Sequence, residues 1–169
     1  FDLLYGLPEQ TVESCVATVT RALQLGPDRF AVFGYAHVPW MKKHQRLIDE
    51  AALPGGHERF AQAQAIGDRL EAAGYVRIGL DHFARPEDPL ARALRGGTLR
   101  RNFQGYTTDR ADALLGFGAS AIGALPQGYV QNVVQTGAYE RAVAADELPV
   151  ARGLALDPDD RLRRDAIEQ

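Results

Sequence analysis

Midway along the chain stands the run Arg100-Arg101-Asn102-Phe103-Gln104-Gly105-Tyr106-Thr107-Thr108, which mixes guanidinium groups, amides, aromatic rings and hydroxyls. It follows neither the alternating period of a strand nor the 3.6 period of a helix. Guanidinium forks match carboxylates well, so Arg100 and Arg101 read either as a carboxylate grip or as a solvated basic pair. Asp2, within the apolar Phe1–Gly6, is a second candidate. It is either an exposed strand-start carboxylate or an acceptor for a ligand hydroxyl or amine at the edge of a sheet. His37 and His82 each follow an apolar run, which puts both on one rim as pocket-lining groups. With Asp81 and His44 they supply nitrogen and oxygen in principle. No HExxH spacing or compact Cys/His set accompanies them, so a metal site is not expected.

Other motifs are weaker. Gly116, Gly118 and Gly123 lie in GFGASAIG, which lacks the GxGxxG order of a dinucleotide loop. The chain carries no P-loop, no nucleophile elbow and no Ser-His-Asp set readable from spacing, and no catalytic residue is assigned.

These residues need positioning. Phe1–Gly6 reads as a strand. A helix follows, capped by Thr11, with Val12, Val16, Val19 and Leu23 on one face, and Gly26-Pro27 ends it. Arg29–Tyr35 is a second apolar strand, and strand–helix–strand in this space is the βαβ signature of a parallel sheet buried on both faces. Met41–Glu50 is a helical insertion. His57–Ala73 is a helix with Phe60, Ala63, Ile66, Gly67 and Leu70 on or near one face, closed by Gly74. Tyr75–Leu80 is a third strand, and Asp81–Pro86 is a polar segment past its end. Glu87–Leu94 is a short helix stopped by Gly96-Gly97. The glycine-rich run 113–122 is a strand or tight turn pressed against backbone or ligand. Gly137–Ala145 is a helix, and Leu156–Asp160 is a turn and cap that starts a charged helix at Asp159–Glu168.

Composition narrows the function. The chain has 169 residues, 46% of them hydrophobic and 24% charged, so it folds around a sizeable core. A net charge of -3 with interspersed signs lacks the positive field that nucleic-acid binding requires. No apolar run is long enough to span a membrane. The chain opens without methionine, inside a strand, and reads as a piece of something larger. Its single cysteine, Cys15, cannot by itself form an internal disulfide or hold an iron–sulfur cluster, and it reads as a core residue in a cytoplasmic protein.

Four motifs occur in order: Asp2-Leu3-Leu4-Tyr5-Gly6-Leu7-Pro8, Tyr35-Ala36-His37-Val38-Pro39, Gly79-Leu80-Asp81-His82-Phe83-Ala84, and Arg101-Asn102-Phe103-Gln104-Gly105-Tyr106-Thr107-Thr108. Together they resemble the oxygen-independent coproporphyrinogen III oxidases, radical SAM enzymes of heme and porphyrin synthesis, over essentially the whole chain. The resemblance implies an α/β fold, part of an incomplete TIM-like barrel spanning residues 1–155, with residues 156–169 beginning a C-terminal helical domain. It implies a [4Fe-4S] cluster that reduces S-adenosylmethionine to give a 5'-deoxyadenosyl radical. That radical abstracts hydrogen from propionates of coproporphyrinogen III, and two of these become vinyl groups in protoporphyrinogen IX. An electron donor is implied as a partner, and the whole protein is expected to be a cytoplasmic monomer.

By the same resemblance, Asp2 accepts hydrogen bonds from S-adenosylmethionine, the backbone of Ala36 contacts it, and Ile122 is an apolar wall of the cofactor region. Phe103 and Gln104 match a pair associated with a second S-adenosylmethionine. The family's CxxxCxxC cluster triplet is not in this sequence, so the chain by itself is expected to be inactive. The related heme chaperones share the first motif, but their region corresponding to NFQGYTT reads closer to HNxxYW, and the one tryptophan here is Trp40. A non-catalytic scaffold of the same fold is a further alternative.

Overall fold

A computed structural model describes residues 1–102 and 105–168, and these form two compact units, residues 1–99 and 100–169. In the first unit, strand β1 (Asp2–Tyr5) leads through helix α1 (Val12–Leu23) to β2 (Arg29–Gly34). β1 and β2 pair in parallel, as the βαβ reading requires. Thr11 starts α1 with a reciprocal capping box: its hydroxyl accepts from the Ser14 amide at 3.2 Å, and its own amide donates to the Ser14 hydroxyl at 3.0 Å. Such a cap contributes about 1 kcal/mol. Gly26, at φ 62°, turns the chain out of the helix.

Two short 3-10 turns, Lys43–Leu47 and Glu50–Ala52, stand where a helical insertion is expected. Helix α2 (Gly56–Ala72) then packs beside α1. The two helices cover one face of the sheet, where Cys15, Val19 and Ala22 of α1 meet Ile66 and Leu70 of α2 over Phe30, Val32 and Phe83. The buried stripe of α2 runs Gln62, Ile66, Leu70, one residue every turn, and Phe60 falls off it at 65% exposure.

Two expectations are corrected. The polar segment Asp81–Pro86 does not simply trail off past the third strand but contains a strand of its own. Strand β3 (Val76–Ile78) turns back through Gly79 (φ 62°) into β4 (His82–Ala84), which inserts between β2 and β3 and is antiparallel to both. The sheet order is β1-β2-β4-β3, and the sheet is mixed. Nor is the second face buried across its whole width: Ala31, Ile78 and Ala84 are buried on it, but the β1 side is open. Alternation puts Leu3, Phe30 and Val32 on the helix-covered face, while Leu4 and Phe33 point the other way and stay 49% and 39% exposed. An apolar run alone does not distinguish the two faces.

Helix α3 (Pro89–Arg95) closes the unit. Asp88 caps it, accepting from the Leu90 amide at 2.8 Å with one oxygen and from Arg29 Nε at 2.7 Å with the other.

In the second unit, β5 (Arg100–Asn102) pairs antiparallel with β6 (Gly105–Thr107). β7 (Ile122–Leu125), β8 (Gly128–Asn132) and β9 (Val150–Ala155) form an antiparallel sheet, with helix α4 (Thr136–Ala144) between β8 and β9 in sequence. The glycine-rich run lies against this sheet. A Cβ on Gly116 would sit 2.9 Å from the Ile122 carbonyl, so only glycine permits this approach. Buried Asn132 donates to the Gly116 and Gly118 carbonyls, each at 3.0 Å, and ties the run down. Helix α5 (Pro158–Glu168) begins with Asp157 and Asp160 capping each other's backbone, as the turn signal predicts.

Candidate functional site

Asp2 is the first residue of β1 and is exposed. Register places it opposite Ala31 of β2, which in turn lies opposite His82 of β4. Cross-strand partners share a face, so Asp2, Ala31 and His82 form one row on the side of the sheet away from α1 and α2, running from exposed Asp2 to buried Ile78 of β3. Leu4 and Phe33 make the next row toward the strand ends, and the Phe33 ring meets the His82 ring edge-on at 6.0 Å. Asp81 Oδ1 lies 2.6 Å from His82 Nδ1 and fixes the orientation of the imidazole. The row thus combines a carboxylate, a methyl floor and an oriented ring.

Ala36 sits just past the C-terminal end of β2, exposed, in a segment held from several directions. Gln45, buried at 8% exposure, donates to the Ala36 carbonyl at 3.0 Å and accepts from the Val38 amide at 2.7 Å. Arg59 donates to the Tyr35 carbonyl at 2.7 Å. His37 Nδ1 lies 3.2 Å from the Tyr35 hydroxyl, and its Nε2 lies 3.1 Å from Glu50. Asp2 therefore lies at the start of the β1–β2 pair, and Ala36 lies beyond its far end. One ligand touching both must be extended.

His37 and His82 are not partners. Each is engaged by a carboxylate near in sequence, and among the described residues no three His, Cys, Asp or Glu side chains converge on a metal-sized centre. Cys15 is buried at 1% exposure in the helix–sheet core, and burial pushes its thiol pKa up. A thiol so placed disfavours the thiolate that a cluster ligand must be, so it does not fit an iron–sulfur site.

In the second unit, Ile122 opens β7 and is half-buried at one end of a groove of about 300 Å³. Arg100 and Arg101 are exposed on β5, and the Arg101 guanidinium lies 5.5 Å from the Tyr106 ring centre. Phe103 and Gln104 lie outside the described residues.

The chain is 64% identical over its whole length to an oxygen-independent coproporphyrinogen III oxidase of Bradyrhizobium diazoefficiens, of which it covers 38%. It is 46% identical, again over its full length, to the enzyme of that name from Helicobacter pylori strain J99, covering 37% of it. Over its whole length the chain is thus similar to one part of the oxygen-independent coproporphyrinogen III oxidases. A solved structure of coproporphyrinogen III oxidase from Escherichia coli, described as a radical SAM enzyme, superposes with a TM-score of 0.91 at 46% identity, over 99% of this chain and 38% of that one. The fold is thus that of a partial radical SAM barrel with a further extension, and the chain spans less than two fifths of the family relatives it matches. No protein-family model matches it. No helix among the described residues is long and apolar enough to cross a membrane.

Sequence reasoning missed Gln45, the Asp2–Ala31–His82 row and, in the second unit, Gln131 with Arg152. Gln45 gave no local signal, because its role appears only once the segment after β2 folds back on it. Arg152 did leave one: it is the single charged residue of VARGLA.

Proposed function

We propose that this chain supplies part of the cofactor- and substrate-binding wall of an enzyme that oxidatively decarboxylates coproporphyrinogen III to protoporphyrinogen IX without oxygen. S-adenosylmethionine, reduced through a [4Fe-4S] cluster, supplies the hydrogen abstraction in this reading, and an external one-electron donor is the implied partner. The cluster's cysteines do not lie in this chain, and no step runs through Cys15. Residues 1–155 belong to the barrel and 156–169 open a helical domain, in a cytoplasmic enzyme.

The observation that carries the reading is exposed Asp2 at the open, β1 end of the sheet face away from α1 and α2. An exposed carboxylate beside the methyl of Ala31 has room to accept hydrogen bonds from a ribose hydroxyl or an amine. The Gln45 clamp holds Ala36 beyond the strand end, where its backbone amide and methyl meet the other part of an extended nucleoside. Ile122 and the Phe103–Gln104 pair complete the proposed cofactor set.

The test is an anaerobic assay of the full-length protein carrying this segment, with reconstituted cluster, S-adenosylmethionine and a reductant. Protoporphyrinogen IX is expected as product. Exchange of Asp2 for alanine is expected to raise the KM for S-adenosylmethionine roughly 10- to 100-fold, as for loss of hydrogen bonds to a charged group. Failure of the cluster-loaded protein to decarboxylate overturns the reading, and an unchanged KM removes Asp2 from the site.

A further inference from the structure

The groove beside Ile122 contains a built feature that the cofactor reading does not use. Strand register puts Ile122 opposite Gln131, Gln131 opposite Arg152, and Tyr129 opposite Leu154, so all five share one face of the β7-β8-β9 sheet. Together they line the groove of about 300 Å³. Three of the side chains are apolar or aromatic, and Arg152 is the sole charged residue in the three strands.

Arg152 is held in place. Its Nε donates to Gln131 Oε1 at 2.7 Å, and the Gln131 amide in turn donates to the Ser120 carbonyl at 3.0 Å. The Ser120 backbone is itself fixed, donating to the Val133 carbonyl at 2.9 Å from a left-handed conformation of φ 63°. A relay from backbone carbonyl through amide to guanidinium orients the fork without neutralising it, since no carboxylate takes part. The two terminal nitrogens of Arg152 make no protein hydrogen bond among the described residues. Such a fork, aimed by a neutral partner and standing over an apolar floor, fits a carboxylate carried on an apolar body.

We propose that Arg152, oriented by Gln131, is a carboxylate-binding residue of the groove that begins at Ile122. The inference rests on the functional reading above, which offers two carboxylate sources: the propionates of the tetrapyrrole and the amino-acid end of S-adenosylmethionine. The chemistry is the same for both, and the experiment separates them.

Full-length protein is titrated with coproporphyrin III, the stable oxidised form of the substrate, by fluorescence quenching, and separately with S-adenosylmethionine in equilibrium binding. Arg152→Gln is expected to weaken one of the two by roughly 10- to 100-fold, the loss that accompanies removal of a charge-assisted hydrogen-bonded pair, and the one weakened names the source. Arg152→Lys, which restores the charge without the fork, is expected to regain part of the loss. Arg152 is exposed, so both variants fold, and an unshifted Tm checks this. Wild-type binding of both probes with less than a twofold change in Arg152→Gln overturns the inference alone. Wild-type protein that binds neither probe overturns the functional reading, and the inference with it.

Discussion

Asp2 and His82 flank Ala31 in a single cross-strand row on the sheet face that α1 and α2 leave uncovered. Two inter-strand spacings separate their backbones, about 10 Å, with only a methyl group between them. Any side chain larger than alanine at the centre of this row would narrow the space between carboxylate and imidazole. The relationship depends on β4 inserting antiparallel beside β2, because that insertion brings the third of the four motifs within two strands of the first.

Ala31→Leu tests whether this row is a binding surface. Ala31 is itself buried at 8% exposure on the face away from Phe30, Val32 and Phe83, so the added carbons crowd that face and not the α1–α2 core. Affinity of the full-length protein for S-adenosylmethionine is expected to fall at least about 10-fold, with Tm lowered by several degrees, since enlarging a buried side chain costs about 1–3 kcal/mol. Equilibrium binding and a thermal melt read the two effects separately. Unchanged affinity would take the row out of the site.

Gln45 gives a graded test of the segment after β2. Gln45→Ala leaves the Ala36 carbonyl and the Val38 amide without their partner and is expected to cost about 1–3 kcal/mol. Gln45→Glu keeps an oxygen for Val38 but replaces the donor to Ala36 with a second acceptor. Urea denaturation should rank wild type above both. Both variants should weaken S-adenosylmethionine binding through Ala36 while leaving coproporphyrin III binding unchanged. Loss of both affinities together would mark a general collapse of the rim instead.

How much of this was legible beforehand divides along physical lines. Thr11 as a cap, Gly26 as a stop, the parallel β1–β2 pair and the Asp157–Asp160 turn are local or nearest-neighbour events, and sequence states them directly. The Val76–Ala84 hairpin was not legible, because Gly79-Leu80-Asp81 carries no strong two-residue turn signature and the polar Asp81-His82 looks like a strand exit. Phe60 misled through periodicity: it sits on the edge of the α2 stripe, while the polar Gln62 takes the buried place and bonds the Gly6 amide at 2.9 Å. The motifs named the site residues, but their rows and heights came only from register.

Asp88 joins two elements, so its removal should show more than a surface exchange does. Its side chain is 6% exposed, with one oxygen on the Leu90 amide and the other on Arg29. Asp88→Ala removes a helix cap and one member of a partly buried ion pair and is expected to cost about 2–4 kcal/mol. Asp88→Asn retains a capping oxygen and should recover about half. Chemical denaturation measures both, and equal losses would show that the charge on Arg29, not the cap, sets the energy.

Cys15 supplies a pH signature with a definite sign. Burial raises its pKa in the folded chain, so between the ordinary thiol range near pH 8.5 and the higher folded value the native state holds a proton that the unfolded state has released. Stability therefore falls as pH rises through that window, by at most about 1.4 kcal/mol per pH unit for one proton, and the contribution is fully present below it. Other groups titrate there too, so the quantity to measure is the wild-type-minus-Cys15→Ala difference in urea midpoint from pH 7 to 10. That difference is expected to favour wild type most at pH 7 and to shrink above pH 8.5. The same burial should make the native thiol slow toward disulfide reagents and fast once urea unfolds the chain. It should also prevent the 169-residue chain, reconstituted with iron and sulfide, from assembling a stoichiometric [4Fe-4S] centre. A pH-independent difference, or a native thiol that reacts as fast as the unfolded one, would mean that α1 opens readily. Cys15 could then no longer be counted as part of the core that carries β1 and β2.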